Sequence, residues 1–331
     1  MLAEVPLAGL SFDRSSIRVD EGPSMRQTSE SSPRLTLNPH VDLPEGARPL
    51  RINLPYLIVI GAVHLLSLLV LDPWYFSWAG VLSLVFGYFL FGILGITVGF
   101  HRLLSHRSFE CPKWFEYCLA LLGTCCLQES AVWWVSVHRR HHLHTDDQPD
   151  PHTPKAGMLW SHIGWLLLVN RESSRKETYH RFTRDLTRQV FYTWTDNKLV
   201  MSLIVAIHML VYFAVGFGLG WLPQGDGDSG VRMGWSLIVW GVFLRTVLVM
   251  HAAWSINSIT HLWGYRNYDV PDDSRNNWIL GLLVHGEGWH NNHHANINSA
   301  RFGRKWWEFD TGYWTICLLQ KIGLARNVVS H

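Results

Sequence analysis

The sequence predicts an all-α integral membrane fold: four transmembrane helices in two hairpins, with a cytoplasmic helical cap holding a histidine-bound di-metal site. Three observations predict it. Four apolar runs are long enough to cross about 30 Å of hydrocarbon. Charged residues make up only 16% of the 331 residues, where soluble proteins carry about 25%. Nineteen histidines are present, many of them clustered just beyond the apolar runs.

Taken in order, residues 1–45 are rich in Ser, Pro and Arg and have no period that could bury a face, so a disordered arm is expected. Glu4, Asp13, Asp20 and Glu21 count against a transit peptide, and no signal-peptide pattern is present, so membrane entry is expected from internal segments. A single domain is expected over 46–331. Its spans are read at about 54–71, 79–100, 199–221 and 233–256. The link 72–78 carries no Lys or Arg, and the link 222–232 sets Asp226 and Asp228 against Arg232 alone. Residues 101–198 hold 13 Lys and Arg. The positive-inside rule then puts both termini and the long middle segment in the cytoplasm. Shorter apolar stretches near Tyr117–Leu127, Gly157–Val169 and Trp278–Val284 fit interfacial or buried helices of the cap.

The net charge of +2 and the lack of a basic patch with interleaved aromatics give no expectation of a nucleic-acid partner. Five cysteines with no CxxC pair read as reduced thiols on the cytosolic side.

Histidine spacing carries the chemistry. His138, His141 and His142 follow an i, i+3, i+4 pattern that shares one helix face, as do His290, His293 and His294. Asn257 and His261 are one turn apart at the end of the fourth span. His101 and His106, five residues apart, require the helix to end or bend between them. Several imidazoles on one face of an apolar protein need something to satisfy their nitrogens, and a metal does so. Nine histidines exceed the ligand set of one ion, so two ions are expected. Imidazole alone does not select iron over zinc, copper or nickel. His64, His208 and His251 read as satisfied bundle residues, and His40 and His331 as solvated. Arg245, inside the fourth span, is expected to line a cavity or pair with a buried acid.

The motifs Gly95-Ile-Thr-Val-Gly-Phe-His101-Arg-Leu-Leu-Ser-His106-Arg-Ser-Phe, His138-Arg-Arg-His141-His142, Asp150-Pro-His152 with Ser161-His-Ile-Gly-Trp165, Asn257-Ser-Ile-Thr-His261-Leu-Trp-Gly-Tyr-Arg, and Gly286-Glu-Gly-Trp-His290-Asn-Asn-His293-His294 together span most of residues 52–325. Over these motifs the chain resembles the membrane-bound fatty acyl desaturases of the stearoyl-CoA desaturase type. The resemblance implies a di-iron centre with the nine histidines named above as ligands and Asn257 reaching one iron through water. It implies O2-dependent removal of two hydrogens from adjacent methylenes of a fatty acyl chain, with a cis double bond expected at Δ9. It further implies that Gln128 and Trp134 bend the acyl tunnel and that Phe89 and Ile93 set its length. Electrons are expected from a separate donor of cytochrome b5 or ferredoxin type with its reductase.

The chain also departs from the animal enzymes. Ser136 and Val137 stand where an Arg-Asp pair would contact CoA, and Val169, Asn170 and Arg171 stand near a displaced basic pair. An acyl-lipid substrate thereby competes with acyl-CoA. A hydroxylase of the same histidine-box chemistry, or in another class a metal-ion transporter, are the competing readings. A transporter predicts ionisable residues near the membrane midplane, whereas these clusters gather at span ends.

Overall fold

The computed structural model describes residues 41–330. Most of the arm expected over 1–45, His40 included, and His331 lie outside the described residues. Among the described residues the chain is helical, with isolated backbone bridges such as Ile52 to Leu168 and no strand. Four helices are long and apolar enough to cross a membrane: Leu54–Leu71, Trp78–Ser105, Lys198–Pro223 and Gly227–Ile259.

Two of these helices outrun their apolar stretches, for reasons that hydropathy does not register. The second continues past Phe100 to Ser105 and carries His101 inside it. The fourth begins at Gly227 because Asp226 caps it, its carboxylate accepting from the backbone N–H of Asp228 at 3.2 Å and of Ser229 at 3.0 Å. Ser77 and Asn197 cap the second and third spans in the same way.

The fourth span is the most enclosed, with 67% of its most apolar window buried against 11% for the third. It can therefore carry site residues that the lipid-facing third span cannot. The third and fourth spans meet at glycines. A Cβ on Gly216 would lie 2.7 Å from the carbonyl of Met233, and one on Gly234 would lie 2.8 Å from the ring of Phe213. Close backbone approach at small residues is how helices associate where lipid removes the hydrophobic drive. The second span is tied to the fourth by Ser77 and Ser236, whose hydroxyls are 2.7 Å apart.

Helices Lys113–Thr124 and Ala131–His144 lie between the two pairs of spans; Trp278–Leu283, His290–Ala295 and Thr311–Lys321 follow the fourth. Val98, Phe100, Leu104, Leu119, Val132 and Val135 are fully buried in one core. That core fixes the end of the second span against helix Ala131–His144, so their histidines meet.

Candidate metal centre

The His101–His106 segment neither breaks nor bends as expected. Residues Leu90–Ser105 form a π-helix, and the His106 backbone N–H donates to the His101 carbonyl at 3.2 Å. An i→i+5 bond widens the turn until a spacing of five returns to the same face. The two rings lie 4.9 Å apart. The His-x-x-His-His segments do sit on helices, Ala131–His144 and His290–Ala295. Each divides its histidines between two groups. His101, His106, His138, His142 and His293 form one group; His141, His261, His290 and His294 form the other. Within each group one ring nitrogen per residue lies within 4.8 Å of the rest. His261 falls just beyond the helix that carries Asn257, which ends at Ile259.

Four carboxylates orient this cluster. Glu287 pairs closely with His101 Nδ1. Asp150, Asp146 and Asp272 accept from Nδ1 of His141, His261 and His294, each at 2.9 Å. A histidine that donates its Nδ1–H presents an unprotonated Nε2. His261 and His294 therefore both bring Nε2 lone pairs to within 3.0 Å of His290 Nε2, which can donate to at most one of them. Converging ring nitrogens at this separation are satisfied by a cation held between them, so the donor set fits a metal ion. His293 Nε2, at 3.2 Å from His101 Nε2 and 2.9 Å from His142 Nε2, marks the same convergence in the other group.

Burial, reinforced by the neighbouring imidazoles and arginines, pushes His106, His138, His142, His290 and His293 well below the ordinary histidine value. These rings therefore stay neutral, as a ligand must be. Burial also lowers His294, to about 4, against the opposing pull of Asp272. Burial alone would raise Asp146 and Asp150, but the charge and hydrogen bond of His261 and of His141 hold their carboxyls low. Arg102, fully buried, pairs with Asp310 at 2.9 Å and approaches Glu287 at 3.4 Å, which balances that carboxylate.

Two cavities flank the cluster. The larger, about 590 Å³, is lined by apolar residues such as Ile60, Trp133, Met250 and Trp254 and by the polar Asn53, Glu129, Asn170 and Lys198. The smaller, about 60 Å³, reaches Tyr88, Gly92, Val284 and His285. Trp134, His138, Ala253 and Asn257 line both, so the two spaces flank the same four residues beside the histidine groups. Gln128 lines the larger cavity and accepts from Trp134 Nε1 at 3.2 Å. The Trp134 ring stacks on His138, with centroids 5.1 Å apart.

Phe89 and Ile93 line neither cavity; Tyr88, Gly92 and Ile96 do. Phe89 is 50% exposed and touches His285 from outside, while Ile93 packs into the core. The two positions that the resemblance implies therefore stand beside the cavity wall and not in it.

Arg245 is fully buried and finds no acid among the described residues. It donates to the carbonyls of Gly241 and Cys125, each at 3.1 Å, and its guanidinium lies 4.3 Å over the Phe91 ring. His208 completes its surroundings at 3.4 Å. His64, His251 and His162 form a chain with nitrogens 3.0 Å apart at each step; sequence reading left His162 out because no regular spacing links it to the others. The four carboxylates were also missed, since they lie on loops with no periodic relation to their histidines.

Comparison with known proteins agrees with this site. The profile of the family described as fatty acid desaturase matches residues 73–316. The chain is 41% identical over 297 residues to an sn-2 palmitoyl-lipid 9-desaturase of Nostoc sp. (strain 36), covering 89% of this chain and 97% of the relative. It is 44% identical over 266 residues to an sn-1 stearoyl-lipid 9-desaturase of Anabaena variabilis, covering 80% and 90%. It is 38% identical over 276 residues to an acyl-CoA 5-desaturase of Anemone leveillei, covering 82% and 78%. The chain belongs to the fatty acid desaturase family, whose members are oxidoreductases.

Proposed function

We propose that this chain is an acyl-lipid 9-desaturase with a di-iron centre. The observation that carries the reading is that two cavities share Trp134, His138 and Asn257 as walls: apolar space of a kind that would take an alkyl chain lies directly beside the histidine groups. An alkyl chain has no acidic proton and no polarised bond, so acid–base groups cannot activate it. Two irons held by the nine histidines would supply, with O2, two electrons and two protons from solvent, the oxidising power to remove two hydrogens from adjacent methylenes, giving a double bond and two waters. The protein's own residues perform the rest. Gln128 fixes the Trp134 indole, which stacks on His138 and lines both cavities. Trp133, Met250 and Trp254 exclude water from the larger cavity. Asn257 lines both cavities and fits the role of a tenth, water-mediated ligand.

Two things favour a membrane lipid over CoA. Ser136 and Val137 replace the Arg-Asp pair of the animal enzymes, and the two cyanobacterial relatives are named lipid 9-desaturases. We assign both termini and the site to the cytoplasmic side, with the four spans as two hairpins, from the 13 Lys and Arg between them. Metal analysis of the purified protein, paired with an O2-consumption assay, tests the centre. Two irons per chain and O2-dependent product formation are expected; zinc without iron and no O2-dependent activity would contradict the reading.

A further inference from the structure

We propose that the exposed basic face carrying Arg181, Arg184 and Arg188 is the docking surface for a small acidic one-electron carrier protein. This rests on the functional reading above, because removing two hydrogens with O2 takes two further electrons, and these have to reach the metal pair through the protein surface.

The charge of the face comes first. Between Arg171 and Arg188 lie six Lys and Arg against three acids. Two of those acids are already matched from outside the segment: Glu172 by Arg140 at 3.4 Å, and Asp185 by Arg107 at 2.6 Å and Arg139 at 2.8 Å. Arg175, Arg181, Arg184 and Arg188 are exposed and make no ion pair among the described residues. Unmatched surface arginines of one sign raise the encounter rate of an anionic partner.

The route inward comes second. Arg139 donates to the Phe182 carbonyl at 2.8 Å and to Asp185, while its other nitrogens donate to the carbonyls of Leu104 at 2.7 Å and Ser105 at 3.1 Å. Ser105 precedes His106, and Arg139 itself follows His138. One side chain thus joins the basic face to the backbone of two ligands of the five-histidine group, whose Nε2 atoms are 2.7 Å apart. Electron transfer through protein weakens steeply with distance, so the surface nearest the ligands is where a carrier is useful. Over the four-histidine group, the loop carrying Asp146 instead exposes Asp147, which repels an acidic carrier, and exposed Asp269 near Asp272 is matched by Arg266 at 3.8 Å. Anionic lipid headgroups are the rival occupant, since exposed Val190 and Trp194 lie close by in sequence. Lipid binding, however, gives no role to the Arg139 bridge.

The test uses the full chain in phosphatidylcholine vesicles, with a reduced acidic plant-type ferredoxin as donor. The triple variant R181E/R184E/R188E is expected to raise the KM for ferredoxin at least about tenfold. Its yield in a single turnover, after anaerobic reduction with dithionite and then exposure to O2, is expected to match the wild type. The triple Gln variant is expected to fall between, and the wild-type KM to rise with added salt. An unchanged, salt-independent KM would overturn the docking inference. So would a single-turnover yield that falls with it, or loss of binding to phosphatidylglycerol vesicles at unchanged KM. Product in the wild-type single turnover with no charge effect sinks this inference alone; no product at all sinks the functional reading and the inference with it.

Discussion

Each of Glu287, Asp146, Asp150 and Asp272 takes the Nδ1–H of a different histidine and so turns that residue's Nε2 lone pair toward its group. Partners of this kind orient the ligand and raise its basicity, and their loss typically lowers metal affinity about 10–100-fold. Asp150→Ala is therefore expected to weaken metal held by the four-histidine group by about that factor, measured as iron retained against a competing chelator; retention equal to wild type would remove this role. A pH dependence follows from the buried rings. His106, His138, His142, His290 and His293 resist protonation when folded, whereas in an unfolded chain they protonate near 6.5. Below about pH 6.5 the unfolded state binds more protons, so the metal-free fold loses stability as pH falls. His261 works the other way: Asp146 raises it against its burial, so its contribution is lost as pH rises. Five rings against one set the sign, and the unfolding temperature of chelator-stripped protein is expected to drop with acidification in that window. The two groups are made of the same nine histidines that spacing and motif single out. Their carboxylate partners were not legible in this way, because a loop acid and its histidine share no periodic relation that a sequence displays.

At the scale of the element, the π-helix Leu90–Ser105 decides whether the first motif can act at all. With α-helical geometry, residues five apart point about 140° away from each other around the axis, and His106 would leave its group. Deleting Leu104 shortens the spacing to four and forces a choice between α-helix and broken packing. Metal content of that variant is expected to fall from two ions per chain to one or fewer; retention of two would show that the widened turn is dispensable. The glycine contacts of the third and fourth spans allow a second test. Gly216→Leu places side-chain atoms against the Met233 carbonyl, and overpacking of this kind costs about 1–3 kcal/mol. A lower unfolding temperature in detergent is expected, with the ligand groups intact. Apolar length revealed these helices, but the π geometry did not show in it. Hydropathy counts residues and is blind to the hydrogen-bond register; Phe89 and Ile93 were expected from the resemblance, whereas Tyr88 and Gly92 line the cavity.

Across the whole molecule, an enclosed fourth span, a capped second span and the helices that lie between the two pairs of spans in sequence bring four sequence-distant segments to one buried site. This convergence was legible only in part. Charge between the spans indicates one side for all the histidine segments, yet it cannot say that each His-x-x-His-His segment serves both groups. The assignment of sides is itself testable: a cysteine added at the exposed Arg175 is expected to label only after the membrane is permeabilised in intact cells, and one at Asp228 without permeabilisation. The central claim is that this site desaturates a membrane-lipid acyl chain. Expression in cells of defined lipid composition, followed by double-bond mapping of the fatty acids in each lipid class, tests it most directly. A new Δ9 monoene in glycerolipid that vanishes in His141→Ala is expected; a hydroxylated acyl chain, or an unchanged profile from iron-loaded protein, would overturn the desaturase reading.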